Sequence, residues 1–402
     1  VRLASTAVVL LTGGLMPTVA AAQANCNAPA PQAVVHVEIP GNPFEPVATA
    51  DGCWIFVTMA RGGPTGQGGV AIVRRSGGNA SVVRTVALKG NPAGAVLTHD
   101  GKLLIVAAGP MVAFLDAGRL VSGEGDAVLG YLDAGEPVGN IYANVTADDQ
   151  FLFVSAEAAG AIMVVNLAKA RASGFTPASV VGLIRTGRAP IALTFSADGK
   201  YLFTTSQAAL PDWRWPIECK PEAQDRTTST PDHSKGAILI IDVARAKTQP
   251  DSAIVARVAA GCNPVRLVTS PNGDVAYVSA RGDFALLAFD TKKLLADSAH
   301  ALIGRVPVGT APVGVAVIDA GKNVVVTNSN RFGGGPNDTQ PLSVIDAAKV
   351  STGAAAVLGT IPAGAFPREL RVSADGRTLF VTNFNSKTLE LVDLSRLPLS
   401  KP

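Results

Sequence analysis

Short apolar runs recur along the chain with a period of roughly 50 residues, each directly after a tight polar turn. The runs read CWIFVT, KLLIVA, QFLFVS, KYLFTT, DVAYVS, KNVVVT and RTLFVT. The turns fall at Asp51-Gly52, Asp100-Gly101, Asp148-Asp149, Asp198-Gly199, Asn272-Gly273, Ala320-Gly321 and Asp375-Gly376. Asp-Gly and Asn-Gly between apolar runs are hairpin signals, because such turns need positive φ. Eight residues before each turn stands a proline: Pro43, Pro92, Pro190, Pro264, Pro312 and Pro367. The third repeat departs from this, with Asn140 at that place and Pro137 upstream.

A third run follows in each unit, usually ending in an acid (MVAFLD, AILIID, LSVID, LELVD). A fourth ends in glycine (IVARVAAG, LIGRVPVG, VLGTIPAG). Four short strands per unit, apolar on both faces, predict β-propeller blades packed face to face. The seventh unit stops after its third strand, at Asp393, while VVHVEIPG at 34–41 has the fourth-strand pattern. The chain is therefore predicted to be all-β: a seven-bladed propeller of four-stranded antiparallel blades, closed by an N-terminal strand that completes the last blade. Closure of this kind removes the free sheet edge.

The Gly-x-x-Pro openings, the Ser-x-Asp-Gly turns and runs such as LFVTN with LELVD resemble the YVTN repeat of YncE-like propellers across nearly all of 34–394. A looser resemblance is to propeller lactonases of the 6-phosphogluconolactonase type. The first resemblance implies a binding or scaffold protein of the cell envelope and the second a hydrolase. One such fold hosts many functions, so the site must decide.

In this topology the first-to-second and third-to-fourth connections share one face of the disc, here the turn face. Second-to-third and blade-to-blade connections share the other. Cys26 and Cys53 then meet on the turn face in adjacent blades, and Cys219 and Cys262 on the opposite face. Pairing as Cys26–Cys53 and Cys219–Cys262 is expected. Disulfides fit an oxidising compartment. The N-terminus agrees: Arg2, the apolar stretch Ala7 to Leu11 and Ala22-Gln23-Ala24 read as a cleaved leader, 1–24. The expected product, 25–402, is one propeller domain, periplasmic or secreted, without a transmembrane segment.

Charge narrows the chemistry further. Thirty-four basic and 31 acidic residues give a net +3, spread along the chain, so no nucleic-acid partner is expected. His36, His99, His233 and His300 are scattered without zinc-ligand spacing; His233 near Asp232 and Asp225 is at best a weak site for a divalent metal. There is no Cys-x-x-Cys-His and no Gly-x-Ser-x-Gly. No metal and no cofactor are expected.

Two features suggest a site. The 207–235 segment, inserted between the second and third strands of blade four, is polar and presents Trp213, Arg214 and Trp215. It shares its face with the Gly-rich loops RGGPTGQGG (61–69) and RFGGGPNDTQP (331–341). Two residues past each opening proline, or Asn140, the repeats carry Glu45, Gly94, Tyr142, Ala192, Arg266, Gly314 and Glu369. Small residues are the rule there, so the exceptions stand out. Glu45 and Glu369 from adjacent blades could form a proton-transfer pair, and Arg266 or Arg368 could hold an anion. The same residues could instead be salt bridges that register the ring.

Three functional expectations follow. The first is an envelope binding or scaffold protein that takes a small ligand or a protein partner on the insertion face. The second is a lactonase-like hydrolase using a Glu45/Glu369 pair with Arg266 at the channel mouth. The third is a subunit of a periplasmic redox complex whose redox centre comes from elsewhere.

Overall fold

A computed structural model describes residues 26, 28, 32–61, 66–135, 139–222, 229–333, 335–397 and 399–400. The expected leader, Pro137 and Asp225 lie outside these. Seven four-stranded antiparallel blades form a ring. Their innermost strands are Pro43–Ala48, Ala95–Leu97, Asn140–Val145, Arg188–Pro190 continued by Thr194–Phe195, Pro264–Thr269, Pro312–Ile318 and Pro367–Val372. Val34–Glu38 pairs antiparallel with Thr388–Asp393, with Val37 opposite Leu389, and supplies the fourth strand of blade seven.

The repeated sequence encodes repeated contacts. In the turn, a Ser or Thr hydroxyl donates to the acid two residues on: Thr49 to Asp51 at 2.5 Å, Ser196 to Asp198 at 2.7 Å, Ser373 to Asp375 at 2.6 Å. The residue after that acid takes positive φ, so it is usually glycine; Asp149 takes the place in blade three at φ 52°. The Asp or Asn ending the third strands caps a short helix: Asp116, Asn166 and Asp242 accept from the backbone N–H three residues on, each at 2.9 Å.

The hydroxyl in the second strand joins neighbouring blades. Thr58, Ser155, Thr205, Ser279 and Thr382 each donate to an inner-strand carbonyl of the next blade, at Ala93, Ile191, Val265, Val313 and Phe44. Several also accept from their own inner strand, as Thr58 does from the Glu45 N–H and Ser279 from the Arg266 N–H, both at 3.0 Å. The accepting sites coincide with register shifts after the opening prolines, between Pro43 and Pro46 and between Pro264 and Leu267. The inner strand is thus bulged and pinned at the residue that departs from the repeat. Thr382 to Phe44 closes the ring from blade seven to blade one at 2.8 Å.

Apolar side chains fill the spaces between blades. Phe56, Val70 and Ile72 of blade one pack with Leu104, Val106 and Ala113 of blade two. Phe380 and Leu389 of blade seven pack with Ile55 and Val57 of blade one in the same manner. Cys26 is bonded to Cys53, and Cys219 to Cys262. The insertion carries a small hairpin, Ile217–Cys219 with His233–Ser234. Among the described residues no helix is long and apolar enough to cross a membrane.

Candidate functional site

The inner strands enclose a cavity of about 950 Å³ that is lined at its rim by Thr49, Thr98, Thr146, Ser196 and Ala374. All five belong to first-to-second connections, so the cavity opens on the turn face. Its walls are largely aliphatic, with Val47, Leu97, Val145, Leu193 and Val268. The 207–235 segment lies on the opposite face. The ligand site expected beside that insertion would lie on the other face from this cavity.

Charged groups close the cavity at depth. Arg266 reaches from blade five to pair with Glu369 of blade seven, and its guanidinium sits 4.6 Å from the centre of the Tyr142 ring in blade three. Arg371 of blade seven pairs with Glu45 of blade one and lies 5.6 Å from the same ring. That second pair is close without being aligned as a hydrogen bond, and both Glu45 carboxylate oxygens lack one. Glu45, Glu369, Arg266 and Tyr142 are all buried. The small residues between them make the crossing fit. A Cβ on Gly94 would come within 2.5 Å of the Tyr142 ring, and one on Gly314 within 2.7 Å of the Arg368 carbonyl.

Burial pushes the Glu45 carboxyl up to about 8, and Glu369 pushes the same way, against the pull of Arg371, Arg266 and Arg368. Desolvation outweighs the ion pair. Glu45 is therefore largely protonated at neutral pH. It does not line the cavity, whereas Glu369, Arg266, Arg371 and Tyr142 do. Glu45, Glu369 and Arg266 thus lie together at the floor of the cavity and not at its mouth, and they register three blades across the channel.

Arg371 escaped the comparison of repeats because it stands two residues further along the strand than the position compared. There the other blades carry Val47, Val96, Asn144, Thr194, Val268 and Ala316, so the same comparison finds it as the one charge. Arg368 lies on the other side of this layer, near Phe44, Phe366 and Phe384. Trp213 and Trp215 are not near the channel floor. They contact each other at 5.3 Å between ring centres, and Arg257, on the outermost strand of blade four, covers Trp213 at 5.0 Å. Arg214, between them, is exposed with φ 55°. Toward the axis the insertion offers Glu222, which holds Arg281 through two hydrogen bonds of 2.6 and 2.7 Å. His233 bonds Asp232 at 2.5 Å and Asn263 at 3.2 Å. No metal-binding cluster of acids, histidines and cysteines occurs among the described residues.

No family model matches the chain, and no curated protein does. Among solved structures the chain is similar to Kuenenia stuttgartiensis hydrazine synthase, at 17% identity and TM-score 0.65, over 89% of this chain and 96% of that one. It is also similar to the periplasmic gluconolactonase PpgL of Pseudomonas aeruginosa, at 19% identity and TM-score 0.60, over 82% of this chain and 88% of that one. At these identities the likeness is one of fold.

Proposed function

We propose that the chain is an exported propeller of the cell envelope that binds a small ligand in its central channel, entered from the turn face. The cavity carries the reading: aliphatic walls lead down to a fixed set of buried polar groups, the usual composition of a ligand site. Arg371, only half-buried, would meet a polar group of the ligand, while Arg266 and Glu369 neutralise each other behind it. Export agrees with the two disulfides and with the leader read at 1–24. A protein partner would instead use the insertion face, where Arg214 is exposed between the two tryptophans.

A thermal-shift survey of envelope metabolites tests the ligand reading. Hits should stabilise the native chain and lose their effect in Ala147→Trp and Ala197→Trp, which crowd an exposed rim without touching the charged floor. Hits that keep their full effect in both variants would place the ligand elsewhere.

Glu45 favours a second reading. A protonated carboxyl beside a second carboxyl that is paired with an arginine is a general acid–base arrangement, and the lactonase resemblance gives it a substrate class. Against it, Glu45 is sealed from the cavity, so water on the floor meets Glu369 alone. Acid release should stay flat over a panel of sugar and aliphatic lactones. Turnover abolished in a folded Glu369→Gln variant would replace binding with hydrolysis. The likeness to hydrazine synthase assigns no residue to a redox role. That reading predicts a coloured partner on co-purification.

A further inference from the structure

The insertion-face end of the channel holds three guanidiniums in different states. Arg281 is paired, with Glu222 and with Gln207 at 2.7 Å. Arg368 is not. Its guanidinium carbon lies 3.8 Å from the centre of the Phe44 ring, with Phe366 at 5.4 Å and Phe384 at 5.5 Å. Its Nε is sealed from solvent without an acceptor. Among the described residues no carboxylate lies within ion-pair distance of Arg368.

Stacking occupies the flat face of a guanidinium and leaves its edge N–H donors free. A cation set among aromatic rings without a counter-ion is costly, and pairing with an anion relieves that cost. The repeat shows how unusual this is: the other blades place Phe44, Ala93, Ile141, Ile191, Val265 and Val313 at the Arg368 position. Arg331, on the loop of blade six, is exposed and lies 5.1 Å from the Phe332 ring; among the described residues no carboxylate is within ion-pair distance of it. The positive charge of Arg331 opposes that of Arg368, and Glu157 is the acid whose field reaches both. Glu157 accepts from Gln207 at 3.2 Å.

With Arg281 matched by Glu222 and Arg266 by Glu369, Arg331 and Arg368 share the field of Glu157, which leaves a surplus of one positive charge among the described residues, beside three phenylalanine rings. We propose that Arg368 and Arg331 form, at this mouth, a second site that takes a small singly charged carboxylate with an apolar or aromatic body. The site is separate from the turn-face cavity, because the Arg266–Glu369 and Arg371–Glu45 layer lies between them.

The test is a thermal-shift and calorimetric titration of the full propeller with benzoate, with benzamide and inorganic phosphate as controls. Benzoate should bind and benzamide should not. Arg368→Gln should weaken benzoate by at least about tenfold, as loss of a charge-assisted bidentate pair implies. Arg331→Gln, at an exposed loop residue, should weaken it by about threefold, the effect of one partly solvated charge. The site is refuted by an absent benzoate response up to about 50 mM, where even a millimolar site is saturated. Undiminished binding in Arg331→Gln refutes it too, and this variant decides if Arg368→Gln does not fold. Phosphate binding more tightly than benzoate would overturn the carboxylate assignment.

Discussion

The two ends of the channel are built from the same strands and differ because of a few side chains. Toward the turn face the inner strands present Val, Leu, Thr and Ala, and the bore widens into a cavity of about 950 Å³. Toward the insertion face the chain places Arg368 among phenylalanines and ties Arg281 to Glu222. A sevenfold repeat left alone would make both ends uniform. Individuality enters where one blade departs from its six siblings, and the largest departures converge on a single layer between the two ends.

Cutting that layer should have the largest effect. Glu369→Gln leaves Arg266 buried without a counter-charge and should cost about 3–5 kcal/mol, read from the denaturant midpoint. A loss below about 1 kcal/mol would mean that water reaches the layer and the two ends are joined. Next comes the fastening of the insertion. Cys219→Ser with Cys262→Ser should lower stability by about 2–4 kcal/mol and loosen only the insertion face, leaving turn-face ligand shifts unchanged.

Smaller is the loss of one inter-blade hydroxyl. Thr205 joins the Ala192 N–H at 3.1 Å to the Val265 carbonyl at 2.7 Å. Thr205→Val strands both groups and should cost about 1–3 kcal/mol, affecting both ends alike. Most diffuse is a dependence on pH. Glu45 is raised to about 8 and Glu390, buried beside Asn383, to about 7, both from an ordinary 4.5. The folded state holds these protons more tightly than the unfolded chain. Their contribution is therefore complete below about pH 4.5 and lost as pH rises through 7 to 8. The melting temperature should fall between pH 5.5 and 8.5, and Glu45→Gln should flatten the slope; an unchanged slope would remove Glu45 from the account.

The sequence spelled out the fold because seven copies of one pattern corroborate each other. Misplacing one turn would have broken the spacing of the rest. The pairing of cysteines followed from the same topology. The buried layer was half legible: Glu45, Tyr142, Arg266 and Glu369 stood out against small siblings, and Arg371 lay one comparison further on. Glu157 and Arg281 stand at one shared offset, two residues past Ser155 and Ser279, outside the position compared, whereas Arg331 and Glu222 lie further into loops of unequal length, where register is lost. Trp213 and Trp215 looked like contact residues from composition. Their place beside Arg257, on the outer strand, depends on how the insertion folds back, which spacing does not encode.

The central claim is that the principal ligand enters from the turn face, opposite the insertion. A thermal-shift titration of the strongest metabolite hit should therefore be run on two double variants: Ala147→Trp with Ala197→Trp, and Trp213→Ala with Trp215→Ala. The rim variant should lose the response by about tenfold or more, as a blocked mouth implies, and the insertion variant should keep it. The reverse pattern, a response that survives a blocked rim and dies with the tryptophans, would contradict the account and move the site to the insertion.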